Sequence, residues 1–291
     1  GGVAYGTAAA PAAPGSGGGT TGYDGSGGGA GGGAVRIEAT GDVVVDGEIR
    51  ADGAGALKYS GGGSGGGIWI TCGRFGGTGA IIANGGAMGV DSGGGGGGGR
   101  IAIDYDDLIG QTAVRFEARE APGVQPMWHP ITRGGAQWLS EYGTLWFADT
   151  RLLSTVIDQF YGTLVIPGFD AWSPPSLTVS NGLVGLEPGF DLRVGGALTV
   201  GTAGALELAP NGFLSAAGGI TLDGGRLVMN VFTQLTCGAS LVLTNGGSLY
   251  AYAAPTNGTS AHGASVDVAG DLRIASSSWI LPDAAGTNGG P

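Results

Sequence analysis

The chain has 291 residues, of which 67 are glycine and 13 are proline, yet 42% of its residues are apolar. The apolar residues are grouped in short alternating segments, which favours an ordered protein, because their burial can offset the ordering entropy of the glycines. The formal net charge of −11 argues against binding to nucleic acid or to anionic membranes. No apolar run approaches the ~20 residues of a membrane span, so membrane insertion is not expected.

Residues 1–105 contain a glycine run followed by a strand pattern three times. The copies are GGGAGGGAVRIEA, GGGSGGGIWITC and GGGGGGGRIAIDY, starting at Gly27, Gly61 and Gly93. Self-similarity at this spacing indicates a repeat architecture whose units stack on one another. Alternating apolar residues after each run predict strands, and the residues expected on one face are Val35 and Ile37, Ile68 and Ile70, and Ile101 and Ile103.

The glycine runs are too long for turns and lack the Gly-X-Y period of collagen. Unbroken glycine can form a left-handed helix with three residues per turn, and several such helices can pack side by side through backbone hydrogen bonds. We therefore predict a packed polyglycine layer built from the three runs and from GSGGG at 15–19. The alternative is a set of flexible glycine linkers.

Residues 106–175 are richer in aromatic residues and are predicted to be a transition region that bridges the two repetitive parts. YGTLWF (142–147) and YGTLVI (161–166) form a short echo, which fits two successive turns of a repeat. The segment RLLSTVIDQF (151–160) has helical spacing but is also compatible with a strand.

Residues 176–291 are predicted to be a ladder of short strands. Thirteen segments alternate between apolar and polar residues: LTVS, LVGLE, FDLRV, ALTVG, ALELA, FLSAA, ITLDG, RLVMN, QLTC, LVLTN, LYAYA, VDVAG and DLRIA. Three such steps would make one rung of a three-sided parallel β-helix. A β-sandwich is the alternative, because Asn-Gly pairs, as at 181–182 and 245–246, are typical of hairpins. The predicted fold is all-β, a parallel β-helix or β-solenoid with polyglycine II-like segments in the N-terminal third.

Three acidic residues, Asp104, Asp106 and Asp107, form the densest carboxylate cluster. On a strand, Asp104 and Asp106 point to one face, where they could bind a structural calcium ion. With a basic residue such as Arg100 they could also serve a polysaccharide lyase. The alternative is a solvated strand face.

Four tryptophans could form a stacking platform for sugar rings, and they are Trp128, Trp138, Trp146 and Trp172. The alternative is that they belong to the core or to an interface. The two histidines, His129 and His262, have no nucleophile motif or metal-ligand spacing around them, so no catalytic residue and no cofactor is predicted. Cys72 and Cys237 are expected to be buried small hydrophobic residues, although a disulfide between them is an open alternative.

Six phrases in residues 14–105 resemble one known type of module. They are PGSGGG, GGGAGGGAVRIEA, DGEIRADG, GGGSGGGIWIT, GAIIANGG and GGGGGGGRIAI. Together they resemble glycine-rich β-helix modules of very large secreted or cell-surface repeat proteins of environmental bacteria and archaea. The resemblance implies a β-helical surface or matrix protein with adhesive or scaffolding roles, and it brings no catalytic residues.

We therefore expect a structural module or subunit of an extracellular filament, sheath or surface layer, and not an enzyme. Copies of the chain are the expected partners, joined end to end or in tandem by stacking of β-rungs and by lateral glycine packing. A surface adhesin that binds a polysaccharide through the aromatic region is the alternative, and a lyase-type enzyme is a third hypothesis.

Overall fold

A computed structural model describes residues 6–20, 27–89, 93–121, 142–253 and 263–284. In these ranges the protein consists of β-strands, with one short 3₁₀ helix at Thr150–Leu152. The strands are β1 (Ala34–Val44), β2 (Glu48–Arg50), β3 (Gly67–Gly76), β4 (Ala80–Ile82), β5 (Arg100–Leu108), β6 (Arg115–Glu117), β7 (Thr144–Phe147), β8 (Val156–Ile157), β9 (Phe160–Val165), β10 (Ala171–Trp172), β11 (Leu177–Val179), β12 (Leu183–Leu186), β13 (Asp191–Val194), β14 (Leu198–Val200), β15 (Ala205–Leu208), β16 (Phe213–Ala216), β17 (Ile220–Asp223), β18 (Arg226–Met229), β19 (Gln234–Cys237), β20 (Leu241–Thr244), β21 (Ser248–Ala253), β22 (Ser265–Val268), β23 (Leu272–Ile274) and β24 (Trp279–Ala284).

The described residues form two compact units. The first unit holds the residues up to Leu152 together with Gln159–Pro167. The second unit holds Leu153–Asp158 and the residues from Gly168 onwards. The chain therefore passes between the units inside the region that the sequence analysis assigns to a bridge.

Two parallel stacks of strands make up the first unit. One has the order β1-β3-β5-β7-β9, and β2, β4 and β6 form the other. Ile37 lies opposite Ile70, which lies opposite Ile103, so the three predicted strand patterns stack in register. Ile70 and Ile103 are fully buried, because the alternation of the sequence directs them to the same side of the sheet.

Four phenylalanines fill the core between these stacks. They are fully or almost fully buried, and they are Phe75, Phe116, Phe147 and Phe160. The ring centroids of Phe116 and Phe147 lie 5.0 Å apart with an interplanar angle of 64°, an edge-to-face arrangement. Such contacts add about 1 kcal/mol each beyond the burial of the rings.

The YGTL echo is explained by strand pairing. β7 and β9 pair in parallel, with Thr144 opposite Thr163 and Leu145 opposite Leu164. The repeated letters thus occupy equivalent positions on neighbouring strands, as predicted. The segment 151–160 forms the end of the 3₁₀ helix, β8 and the start of β9, so its helical spacing produces no α-helix.

The second unit contains three parallel sheets, each made from every third strand. Their orders are β12-β15-β18-β21-β24, β10-β13-β16-β19-β22 and β8-β11-β14-β17-β20-β23. Paired strands start 21 or 22 residues apart, as Leu183, Ala205, Arg226 and Ser248 show. Each of the thirteen predicted segments contains one strand, and β24 is a further strand outside that set.

Columns of inward side chains run along these sheets. Leu192, Leu214 and Leu235 are successive members of one column and are fully buried. The period of two in the sequence produces this arrangement, because alternate side chains of a strand point to opposite faces.

Asn-Gly pairs mark corners between sheets, not hairpins. Asn181, Asn211 and Asn245 have φ angles of 44°, 63° and 50°, the left-handed region that asparagine tolerates. Every strand pairing within the two units, in the ranges described, is parallel. The prediction of an all-β, parallel fold is confirmed, and the alternative of a β-sandwich with hairpins is wrong.

Candidate functional site

Six segments without helix or strand structure pack together in the first unit, and we call them the glycine layer. They are residues 14–19, 27–33, 51–56, 61–66, 83–89 and 93–99. The segment 61–66 lies at the centre, since the other five all exchange backbone hydrogen bonds with it. Its glycines 62, 63, 65 and 66 are buried.

Each of six successive N–H groups in this central segment donates to a backbone carbonyl of a neighbour, and the neighbour changes with a period of three. Gly61 and Ser64 donate to Gly19 and Ser16, both at 2.9 Å. Gly62 and Gly65 donate to Gly94 and Gly97, at 3.0 and 2.9 Å. Gly63 and Gly66 donate to Ala54 and Ala51, at 3.0 and 2.7 Å.

The remaining two neighbours donate to the central segment. Gly29 and Gly32 donate to the carbonyls of Gly61 and Ser64, both at 2.9 Å. Gly86 donates to the carbonyl of Gly63 at 2.7 Å. Buried backbone groups are thereby satisfied without any β-sheet, which the packing of a glycine layer requires.

Close backbone approach explains why glycine is needed in the run 27–33. A Cβ carbon at Gly28 or Gly31 would overlap a carbonyl of the segment 14–19, and one at Gly29 or Gly32 would overlap a carbonyl of the segment 51–56. Gly27 and Gly33 have no atom within 4 Å of such a carbon. Ala30 lies on the same period of three and is exposed, so the run's single side chain occupies its open face.

Ser64 is the corresponding exception in the central run, and its side chain has a defined partner. The Ser16 N–H donates to Ser64 Oγ at 2.7 Å, and Ser64 Oγ donates to the Ser16 carbonyl at 3.3 Å. The sequence analysis found the three runs and the leading segment. It missed 51–56 and 83–89, whose only signal is the pair of matching phrases IRADG and IIANGG.

The predicted acidic cluster lies at the end of β5. Asp104 is half-buried, whereas Asp106 and Asp107 are exposed. Asp107 Oδ1 accepts a hydrogen bond from Arg151 at 2.8 Å, and Arg151 also donates to the Asp106 carbonyl at 2.9 Å. Among the described residues no three His, Cys, Asp or Glu side chains come together as metal ligands, and the calcium hypothesis stays a prediction.

Arg151 belongs to a polar network that also holds Tyr105. Tyr105 Oη donates to Asp149 at 2.8 Å, and Arg151 Nε donates to the other Asp149 oxygen at 2.8 Å. Partial burial by itself would raise the pKa of Asp149, but the hydrogen bonds from Arg151 and Tyr105 outweigh it and hold the pKa below its ordinary value. Burial, with the hydrogen bond to Asp149, raises the pKa of Tyr105 well above its ordinary value.

Of the four predicted sugar-binding tryptophans, two lie in described residues. Trp146 is on β7 in the first unit, and Trp172 is on β10 in the second unit, 6.1 Å from the ring of Phe169. Trp128 and Trp138 lie outside the described residues, as do His129 and His262.

The structure adds one tryptophan that the sequence analysis did not consider. Trp69 lies opposite Ala102, which lies opposite Trp146, so the two indoles stand on one face of the sheet about 10 Å apart. The Arg36 guanidinium lies 4.4 Å from the Trp69 ring centroid. Arg100 and Asp104 flank Ala102 on the same face of β5, because they are two residues to either side of it.

Both cysteines are buried and carry free thiols, as expected of small core residues. Burial, together with the charges of Asp104 and Asp106, raises the pKa of the Cys72 thiol to about 11. Cys72 is therefore protonated and unreactive at neutral pH.

Comparisons of the chain with protein-family models, with curated proteins and with solved structures find no match. Within the ranges that the structure describes, no helix has the length and apolar character needed to cross a membrane.

Proposed function

We propose that this chain is a structural module or subunit of an extracellular filament, sheath or surface layer. The observation that carries the proposal is the period of three in the hydrogen bonds of residues 61–66. A helix with three residues per turn directs successive N–H groups to three different neighbours, which is the packing of polyglycine II. The glycine layer is on this reading a stiff backbone-bonded bundle, not a set of linkers.

The second unit supports the same role. Strands three apart along the chain pair in parallel, and each return to the same sheet takes 21 or 22 residues. We interpret this as a three-sided β-solenoid whose turns stack at about 4.8 Å. Such a coil resists bending and extension because each turn is bonded to the next along three sheets.

Assembly would use surfaces that both parts leave open. The ends of parallel sheets present unpaired backbone groups on which further strands can pair. Lateral contacts would use outer glycines such as Gly27 and Gly33, where no side chain keeps a neighbour away. The low share of charged residues, 12%, and the resemblance to modules of giant surface proteins favour an extracellular or cell-surface setting.

Electron microscopy and fibre diffraction of the purified chain test this proposal. We expect rods or filaments that grow in length with protein concentration, and a meridional reflection near 4.8 Å from stacked strands. Compact particles of constant size at every concentration, without that reflection, would contradict the proposal.

Carbohydrate binding is a second candidate function, and the face that carries Trp69 and Trp146 favours it. Two indoles on a flat sheet with a small residue between them can stack on two sugar rings of one polysaccharide chain, with Arg100 and Asp104 able to bond hydroxyl groups. A pull-down with insoluble polysaccharides tests the idea. Trp69→Ala with Trp146→Ala is expected to lower the bound fraction at least tenfold, whereas Tyr59→Ala, an exposed aromatic elsewhere, should leave it unchanged.

A further inference from the structure

The last strands of the three sheets in the second unit have one open side. In the part of the chain that is described, β22, β23 and β24 each pair with a single neighbour. Their backbone groups on the other side therefore form three parallel edges at one end of this unit. Such edges pair with another strand when nothing blocks them.

Apolar columns of the core also end there without cover. Val266, Leu272 and Ile274 lie opposite Leu235, Leu241 and Leu243, which are fully buried. The exposed fractions of Val266, Leu272 and Ile274 are 37%, 52% and 47%. These side chains stand in core positions, yet they are exposed because no further strand stacks on them.

Residues 285–291 are too few to close this end. One return through the three sheets takes 21 or 22 residues, whereas only seven residues follow Ala284. A complete cover over β22, β23 and β24 must therefore come from another stack of parallel strands.

The outer edge of the first unit has the complementary character. β1 pairs only with β3 and β2 only with β4 among the described strands. Ile37 and Ile49 are partly exposed, although the next members of their columns, Ile70 and Ile81, are fully buried. This edge thus presents unsatisfied apolar columns and parallel strands on its free side.

Charge does not oppose contact between the two edges. On β1, Arg36 pairs with Glu38, and beside β23, Asp271 pairs with Arg273 at 2.7 Å. Pro282 removes one donor from β24, which discourages pairing in arbitrary registers.

We propose that the β22–β24 edge of one copy stacks on the β1–β2 edge of a second copy, with β24 and β1 as parallel neighbours. The proposal rests on the proposed function and deepens it by naming the partner and the polarity. Since each copy carries both halves of the contact, the contact is head-to-tail and continues without closing, which produces a filament.

Two variants, each blocking one edge, test the polarity. Leu272→Asp should weaken self-association of the full chain at least tenfold by sedimentation, and Ile37→Asp should do the same. An equimolar mixture of the two should form dimers and nothing larger, because only one functional pair of edges remains. Leu57→Asp is the matched control: Leu57 is 72% exposed in a turn of the glycine layer and should leave association unchanged.

Circular dichroism checks that each variant is folded, and Ile49→Asp replaces Ile37→Asp if the latter is not. Dimers of Ile37→Asp alone would show that like edges pair, which overturns the polarity. Filaments of both variants equal to the wild type would overturn the stacking while leaving the structural function intact. A wild-type chain that stays monomeric throughout would contradict both proposals.

Discussion

The carbonyl oxygen of Gly18 occupies the place where a Cβ carbon on Gly28 would have to lie. The two residues belong to neighbouring segments of the glycine layer, and the Gly18 N–H donates to the Gly29 carbonyl at 2.8 Å. Since backbone atoms face each other on both sides, neither segment can move away without breaking hydrogen bonds.

We expect Gly28→Ala to destabilise the protein by about 2 kcal/mol or more, because the methyl group must push the two backbones apart. Gly27→Ala is the matched control, since its methyl group would meet no atom within 4 Å. The control should change the free energy of unfolding by less than about 1 kcal/mol, with a stabilising sign if reduced freedom of the unfolded chain dominates. Denaturant unfolding measures both, and equal losses would contradict close packing of the layer.

Asp149 should make the stability of the first unit sensitive to acid. Its pKa is lower in the folded protein than in the unfolded chain, so its contribution is complete above the unfolded value of about 3.9. That contribution is lost as the pH falls through the folded pKa. Unfolding measured from pH 7 down to pH 2 should show this loss.

Asp149→Asn should remove this part of the acid dependence. It should also cost about 1 kcal/mol at pH 7, because Tyr105 and Arg151 lose a charged acceptor. Asp106→Asn is the control, an exposed carboxylate close by on β5. An unchanged acid profile in Asp149→Asn would contradict the proposed role of the network.

Phe232 is held in a backbone conformation that suits its neighbours better. Gly189, Asn211 and Phe232 occupy successive corners 22 and 21 residues apart, with φ angles of 78°, 63° and 60°. The left-handed region costs a residue with a large side chain about 1 kcal/mol, and asparagine tolerates it. Phe232→Asn should therefore raise the free energy of unfolding by about 1 kcal/mol in thermal or denaturant unfolding. Gln234→Asn, on the extended strand β19, should bring no gain, and a loss in Phe232→Asn would show that contacts of the ring outweigh strain.

One apolar column allows a matched test of burial. Leu243 and Ile274 are neighbours in register, but Leu243 is fully buried and Ile274 is 47% exposed. Leu243→Ala should cost about 2–5 kcal/mol, and Ile274→Ala about 1 kcal/mol or less in the dissociated chain. Under conditions where the chain associates, the cost of Ile274→Ala should rise. The same cost at all concentrations would mean that Ile274 stays exposed.

The sequence by itself determined the strand class and much of the register. Alternation placed Ile37, Ile70 and Ile103 on one face, and the YGTL echo aligned Leu145 with Leu164, because a period of two is a local property of the chain. The thirteen segments after residue 176 each contain a strand for the same reason. Their parallel pairing was predicted from the recurrence of steps, and it is confirmed.

Only the tertiary structure decided which backbones meet. Neither composition nor period shows that Gly66 bonds to Ala51, that Ala30 faces solvent, or that Arg151 joins Asp107 across 44 positions. Asn-Gly pairs were ambiguous for a related reason, since the same left-handed angle serves a hairpin or a corner. Glycine has no side chain to record its neighbours in the sequence, so the lateral order of the glycine layer becomes visible only when the segments lie side by side.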